Sequence, residues 1–441
     1  MTPFRFYLVT DTHFYEPSLG ASGKAYEEYM KTEQIFLAES SDMVKAVFAQ
    51  IMADKETEYV IMPGDLSKNG ERESHKSLIK ELYKLKEAGK KVFVITAAHD
   101  YNEWSRSFKN DELVPVEGVS HQELYDLYYD FGYSQAFAVD KQTLSYVAEI
   151  APKVRLLAVN CDSCEETKGV IDDRLLGWLQ EQIDQAKKDG CFIFAINHYP
   201  VVPCVPVFDL VGDAQVRNWR RFADFLADNG VELILTGHMH IQSINEYYSK
   251  QGNRLIDICT SATVGSPMQY RRIDISEDAV MKVETLDVPD FGWDLGGLSV
   301  REFADKQFVV SNINKINRAL NGDEVYKKIL KKVLNSIKVS TLGKIFFVKP
   351  DKSIKDKKFM DFAGEIGCCI FAGDQPHKKG TPVYNAVSGV LKRLNFVIRK
   401  IEPKLQKGDN PINLTEMVLN TIANNKGYSD NNAEFNLKNI E

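Results

Sequence analysis

Phe4-Arg5-Phe6-Tyr7-Leu8-Val9-Thr10-Asp11-Thr12-His13 opens the chain with a short apolar run that ends on an Asp-x-His pair. The run is too short for a core helix and rich in aromatic residues, so it reads as a buried strand. The same pattern recurs along the next two hundred or so residues. Tyr59–Met62 leads into Gly64-Asp65-Leu66-Ser67-Lys68-Asn69-Gly70, and Val92–Thr96 into Ala97-Ala98-His99-Asp100. Cys191–Asn197 leads into His198, Leu233–Thr236 into Gly237-His238-Met239-His240, and Val154–Asn160 is a further run of this kind. Amphipathic stretches near 41–54, 73–89, 173–189 and 214–228 lie between them. This alternation predicts an α/β domain with mainly parallel central strands. Runs near 254–262, 270–276 and 279–288 have no helix between them and are expected to be antiparallel.

The turn-forming segment 289–297 reads as a boundary, which sets a first domain at 1–290. Helical spacing then dominates over 299–320, 323–338, 355–365, 384–402 and 412–424, predicting a helical domain over 298–424. Residues 425–441 are polar and are expected to form a frayed tail.

Composition narrows the function classes. The 441 residues are 44% hydrophobic, enough for two cores, and no run approaches the roughly 18 apolar residues of a membrane span. The start has no basic-then-apolar leader, so a cytoplasmic location is expected unless an upstream leader has been removed. Seven cysteines at irregular spacing suit reduced thiols better than a disulfide framework. Cys161-x-x-Cys164 has no second pair to complete a zinc site and reads as two thiols on a loop. The net charge is −7, but residues beyond 300 carry +10 and the first 300 carry −17. The acidic part bears the motifs, which argues against a nucleic-acid polymer as partner. The basic part suits a solvated helical face or an anionic surface. Oligomeric state is not readable.

In open α/β sheets, functional side chains gather outside the carboxyl ends of the strands. Asp11, His13, Asp65, His99, Asp100, His198, His238 and His240 would all meet there. Mixed carboxylates and imidazoles suit Mn, Fe or Zn. Extended backbone points alternate side chains to one face, so Asp-x-His and His-x-His each present two ligands together. An Asp between two such groups can bridge two divalent ions roughly 3.5–4 Å apart, the arrangement used for in-line displacement at phosphorus. Any one of these residues, taken alone, is more often a cap or hydrogen-bonding group than a ligand. Five such signatures, each at a strand end, outweigh that reading.

In order and spacing these motifs resemble those of the calcineurin-like metallophosphoesterases. The nearest likeness is to bacterial class III cyclic-nucleotide phosphodiesterases with an added C-terminal helical domain. The resemblance covers residues 11–240 and implies a sandwich of two β-sheets flanked by helices. It implies that Asp11, His13 and His240 hold a first metal, that Asp65 bridges, and that His198 and His238 hold a second. It further implies that His99 protonates or stabilises the leaving oxygen, with Asp100 orienting its ring. The implied activity is hydrolysis of small phosphodiesters, cyclic nucleotides foremost, by metal-activated hydroxide. A phosphomonoesterase or protein phosphatase is the alternative within the family. A catalytically impaired metal- or nucleotide-binding protein is the alternative outside enzymes.

One position departs from the pattern. The family carries Gly-Asn-His-Asp or Gly-Asn-His-Glu where this chain has Ala97-Ala98-His99-Asp100, so a second-metal ligand is missing and a flexible glycine with it. Three outcomes are open: a weakly held second metal with water in the gap, replacement by Asn102 or Asn69, or loss of catalysis. Among lesser candidates, Asn197 could contact phosphate or support its neighbours. His75 reads as a surface helix position, and Arg271 and Arg272 as substrate contacts or the start of an exposed strand.

Overall fold

The computed structural model describes residues 2–162, 168–322, 324–405 and 411–438. Its strands are β1 (Phe4–Leu8), β2 (Tyr59–Pro63), β3 (Lys91–Ile95), β4 (Asn102–Lys109), β5 (Glu112–Val119), β6 (Ala136–Asp140), β7 (Ser145–Ala151) and β8 (Val154–Ala158). They continue as β9 (Phe192–Ile196), β10 (Leu233–Thr236), β11 (Ser243–Tyr248), β12 (Arg254–Cys259), β13 (Gln269–Ile275), β14 (Val280–Asp287) and β15 (Ala433–Asn436). The apolar runs that precede the motifs are all strands, as their composition predicts. One sheet has the order β15-β14-β13-β1-β2-β3 and the other β11-β12-β10-β9-β8-β7-β6, with β4 and β5 forming a separate hairpin.

The central strands run parallel: β1 with β2, β2 with β3, β8 with β9, β9 with β10, and β10 with β12. The run near 254–262 is thus antiparallel to β11 on one side but parallel to β10 on the other, and β13 and β14 pair antiparallel. The two sheets face each other across aromatic side chains. Phe6 and Phe194, one from each sheet, stack with ring centroids 5.8 Å apart. Aliphatic residues of both sheets complete one continuous buried cluster. The outer faces are covered by helices Ser40–Ala53 and Arg72–Glu87 on one side and Asp173–Lys188 and Trp219–Asp228 on the other. The result is a helix-flanked two-sheet sandwich, and all motif-bearing loops leave carboxyl ends of its parallel strands.

Beyond the sandwich the helices are Val300–Ala319, Val325–Ser336, Val339–Ile345, Phe359–Phe371, Pro382–Leu405 and Leu414–Thr421 among the described residues. The first is fastened to the sandwich by Phe303 stacked on Phe36 at 4.5 Å and by Gln307 donating to the Met30 and Glu33 carbonyls. No helix is long and apolar enough to cross a membrane among the described residues.

Over its described residues, up to 438, the polar tail does not fray. Ala433–Asn436 adds β15 antiparallel to β14, pairing Val280 with Asn436 and Val283 with Ala433. Arg271 explains the anchoring. It is wholly buried on β13 and donates to the Asn431, Cys259, Thr260 and Thr285 oxygens, so it contacts neither solvent nor a substrate edge. Arg272 pairs with Glu284 across β13–β14.

Candidate metal centre

Five of the six expected ligands sit in the left-handed backbone region: Asp11 at φ 50°, His13 at 35°, Asp65 at 50°, His238 at 68° and His240 at 54°. Each costs an L-residue roughly 1–2 kcal/mol, and such strain persists where the surroundings over-determine it. Here the loops hold one another. The Asp11 N–H donates to the Gly64 carbonyl at 3.2 Å, and the His13 N–H to the Asp65 carbonyl at 3.0 Å. Gly64, itself at φ 95°, lets His198 close in, because a Cβ there would lie 2.7 Å from His198 Nδ1. Gly237 plays the same part beside Asp11, whose carboxylate a Cβ would overlap.

The side chains converge in two groups, Asp11–His13–His240 and Asp65–His198–His238, with the ligating atoms of each group within 4.8 Å of one another. In the first, Nε2 of His13 and Nε2 of His240 face each other at 3.1 Å, and Asp11 Oδ1 lies 3.3 Å from the latter and 3.9 Å from the former. Asp65 joins the groups: its Oδ2 is 3.1 Å from His198 Nε2 and 3.8 Å from His13 Nε2. His198 Nδ1 donates to the Pro63 carbonyl at 2.9 Å, and His238 Nε2 to the Asp213 carbonyl at 2.7 Å. A carbonyl accepts only, so these bonds fix the tautomers and leave His198 Nε2 and His238 Nδ1 bare for a cation. His198 Nε2 and His13 Nδ1 are buried without a hydrogen-bond partner among the described residues. His198 Nε2 facing Asp65, and His13 Nε2 facing Asp11 and Asp65, are the donor chemistry a divalent cation needs.

Electrostatics agree with a site that wants positive charge. Burial opposes ionisation of Asp65, but the charges of His198 and His99 outweigh it and hold the carboxyl well below its usual range. Burial likewise opposes charging His198, yet without a cation Asp65 overrides it and pushes the imidazole up to about 10, so that a proton on Nε2 stands where a cation would displace it. Burial, reinforced by His198, pushes His238 down to about 4. Burial alone leads the lowering of His13.

His99 stands beside the two groups, its ring 5.0 Å from that of His13. Its Nδ1 donates to the Lys68 carbonyl at 3.0 Å, and its backbone N–H to Asp65 Oδ1 at 3.2 Å. The expected orienting role of Asp100 is corrected by these contacts. The Asp100 carboxylate accepts from the Ser67 and Ala97 N–H groups at 2.7 and 2.8 Å, so it locks the His99 loop to the Asp65 loop, and the Lys68 carbonyl orients the ring. The backbone cost expected at Ala97 is absent: at φ −141° and ψ −169° it is extended and needs no glycine. Asn102 starts β4 opposite Val119, and the Asn69 N–H serves Glu71, so their backbones are committed to the hairpin and the turn. Asn197 donates to the Tyr199 carbonyl at 2.6 Å.

Two residues escaped the sequence reading. His75 is fully buried rather than on the surface, with Nε2 donating to the Asp100 carbonyl at 2.9 Å and Nδ1 accepting from Tyr128 at 2.7 Å, so it supports the His99 loop from behind. Its place on the apolar stripe with Leu78, Leu82 and Leu85 was the available signal. Asp162 is buried within electrostatic reach of His198 and Asp65, four residues past the end of β8, where the strand-end criterion would have found it. Cys161 is a buried free thiol, and Cys164 lies outside the described residues.

A family model described as calcineurin-like phosphoesterase matches residues 4–242. Among solved structures, a dimetal phosphatase from Danio rerio is similar at 15% identity, with 65% of this chain and 97% of that one covered and a TM-score of 0.48. A purple acid phosphatase from yellow lupin (Lupinus luteus) is similar at 12% identity, covering 66% and 52%, with a TM-score of 0.39. No curated protein sequence matches significantly.

Proposed function

The chain belongs to the calcineurin-like phosphoesterase family and is a metal-dependent hydrolase, and from that premise we propose that it cleaves small phosphodiesters, cyclic nucleotides included, at a two-cation centre. The observation that carries the proposal is Asp65, whose carboxylate belongs to the second group, with His198 and His238, and reaches His13 of the first. Asp11, His13 and His240 would hold one ion, His198 and His238 the other, with Asp65 shared. Such a pair supplies Lewis acidity and a water of lowered pKa.

The chain's own residues do the rest. The carbonyls of Pro63 and Asp213 keep His198 and His238 in the ligating tautomer. His99 donates a proton to the departing alkoxide. The Lys68 carbonyl accepts a hydrogen bond from Nδ1–H, so the neutral ring has a bare Nε2, and Nε2 must first take a proton from solvent before it can donate one. Retention of this fixed imidazole beside Asp65 favours an enzyme over a binding protein. The preference for diesters over monoesters, and for cyclic nucleotides within them, rests on the motif resemblance to class III phosphodiesterases.

The test is hydrolysis of bis-p-nitrophenyl phosphate against p-nitrophenyl phosphate by purified protein with Mn²⁺. Faster diester cleavage, abolished in Asp65→Asn, is expected. Activity that survives Asp65→Asn overturns the two-cation reading, and faster monoester cleavage overturns the diester assignment.

A further inference from the structure

We propose that Asp162 supplies the ligand to the second metal position that Ala98 cannot. The inference rests on the two-cation reading and adds to it a residue outside the motif set.

Topology puts Asp162 in place. In the second sheet β8, β9 and β10 are adjacent and parallel. His198 follows β9 and His238 follows β10. Asp162 follows β8, so three consecutive carboxyl ends of one sheet deliver the three side chains to one edge. The backbone of Asp162 is fixed from two sides: its N–H donates to Asn160 Oδ1 at 2.9 Å, and its carbonyl accepts from Tyr101 Oη at 3.0 Å. Only the side chain is left without a structural task.

That side chain is 1% exposed, and neither carboxylate oxygen has a hydrogen-bond partner among the described residues. Its electrostatic neighbours are His198, Lys168 and Asp65, and the Ala98 backbone N–H points at it without completing a well-aligned hydrogen bond. Asp162 therefore lies in the electrostatic field of His198 and Asp65 and next to the very residue whose side chain lacks a donor; without a cation its oxygens stand outside the set of ligating atoms that lie within 4.8 Å of one another, so it would have to turn in to bind. A structural carboxylate at such depth would be satisfied, as Asp257 is: it accepts from the Val201 and Val202 N–H groups and from Thr236 at 2.7 to 2.8 Å. Burying a charged carboxylate with no partner is among the most unfavourable arrangements a core can hold. A cation shared with Asp65, His198 and His238 resolves it.

The chemistry of the exchange is specific. A neutral amide oxygen replaced by a carboxylate adds one negative charge, so Asp11, Asp65 and Asp162 together face the two divalent ions. A charged carboxylate oxygen in place of a neutral amide oxygen favours Mn²⁺ over the softer, imidazole-preferring Zn²⁺ at the second position.

Metal binding is measured directly on chelator-stripped, full-length protein by calorimetric titration with Mn²⁺ and by metal counting after gel filtration, with circular dichroism to check folding. Wild type is expected to hold two ions, Asp162→Ala one, and Asp162→Ala/Ala98→Asn two again. Asp162→Leu, which keeps the bulk and loses both oxygens, is expected to weaken the second ion at least about 10–100-fold, the range seen when even indirect support for a metal is removed. If Asp162→Ala does not fold, Asp162→Leu decides alone. Two ions bound with unchanged affinity in the Asp162 variants overturn this inference and leave the two-cation reading standing. Wild type that binds no ion, or only one, overturns both.

Discussion

Replacing His75 by Gln removes a buried imidazole whose titration the fold resists. His75 is fully buried between Tyr128 and the Asp100 carbonyl, and burial pushes it from 6.5 down to about 4. The folded chain therefore keeps the ring neutral down to about 4, while the unfolded chain takes up a proton below 6.5. Stability contributed by neutral His75 is complete above the unfolded value and is lost as pH falls through that window. Between about pH 7.5 and about pH 5 the loss from this one group is about 2 kcal/mol. Gln keeps a donor and an acceptor but does not titrate. Its cost should be about 1–3 kcal/mol near neutrality, from imperfectly remade hydrogen bonds, and should shrink by about 2 kcal/mol near pH 5. The assay is urea unfolding of both proteins at the two pH values with EDTA present, followed by fluorescence and circular dichroism, so that metal loss does not enter. Identical pH dependence in wild type and His75→Gln would refute the reasoning.

His99→Gln should reduce turnover of alkyl phosphodiesters roughly 10²–10⁴-fold and that of nitrophenyl esters far less, since nitrophenolate leaves without a proton. Equal losses on both substrates would remove His99 from the proton-donor role. Because burial, opposed by Asp65, leaves His99 below the usual imidazole range, turnover of alkyl esters by wild type should fall as pH rises through that lowered value, read from a pH–rate profile. Gly237→Ala forces a Cβ onto Thr10 and the Asp11 carboxylate; overpacking of this kind costs about 1–3 kcal/mol, and metal affinity should fall with it in a calorimetric titration. Arg271→Met leaves the Asn431 and Cys259 carbonyls without their buried donor, so limited proteolysis should cut the chain near β15 in the variant and spare wild type.

Much of this architecture is visible in the residues themselves. Short apolar runs that break into Asp-x-His, Gly-Asp, His-Asp, His and Gly-His-x-His specify both the parallel strands and the edge on which they end. All six candidate ligands meet there because strand polarity allows nothing else. What stayed hidden is non-local. The tail pairs Asn436 with Val280, and neither a four-residue strand nor the buried Arg271 that holds it announces a partner so far back in the chain. The Asp100 carboxylate was misassigned because adjacency to His99 suggests contact, whereas the tight turn aims it at the Ser67 and Ala97 amides. Asp162 was obscured by the cysteines around it, which drew the reading toward thiol chemistry. Ala97 shows the converse: the glycine it replaces is not required where the backbone is already extended.

The central claim is that Asp65 lies between two cations. The most direct measurement is an anomalous difference map at the manganese edge from crystals grown with Mn²⁺. Two peaks roughly 3.5–4 Å apart, one on each side of the Asp65 carboxylate, are predicted. A single peak, or none among Asp11, His13, Asp65, His198, His238 and His240, would contradict it.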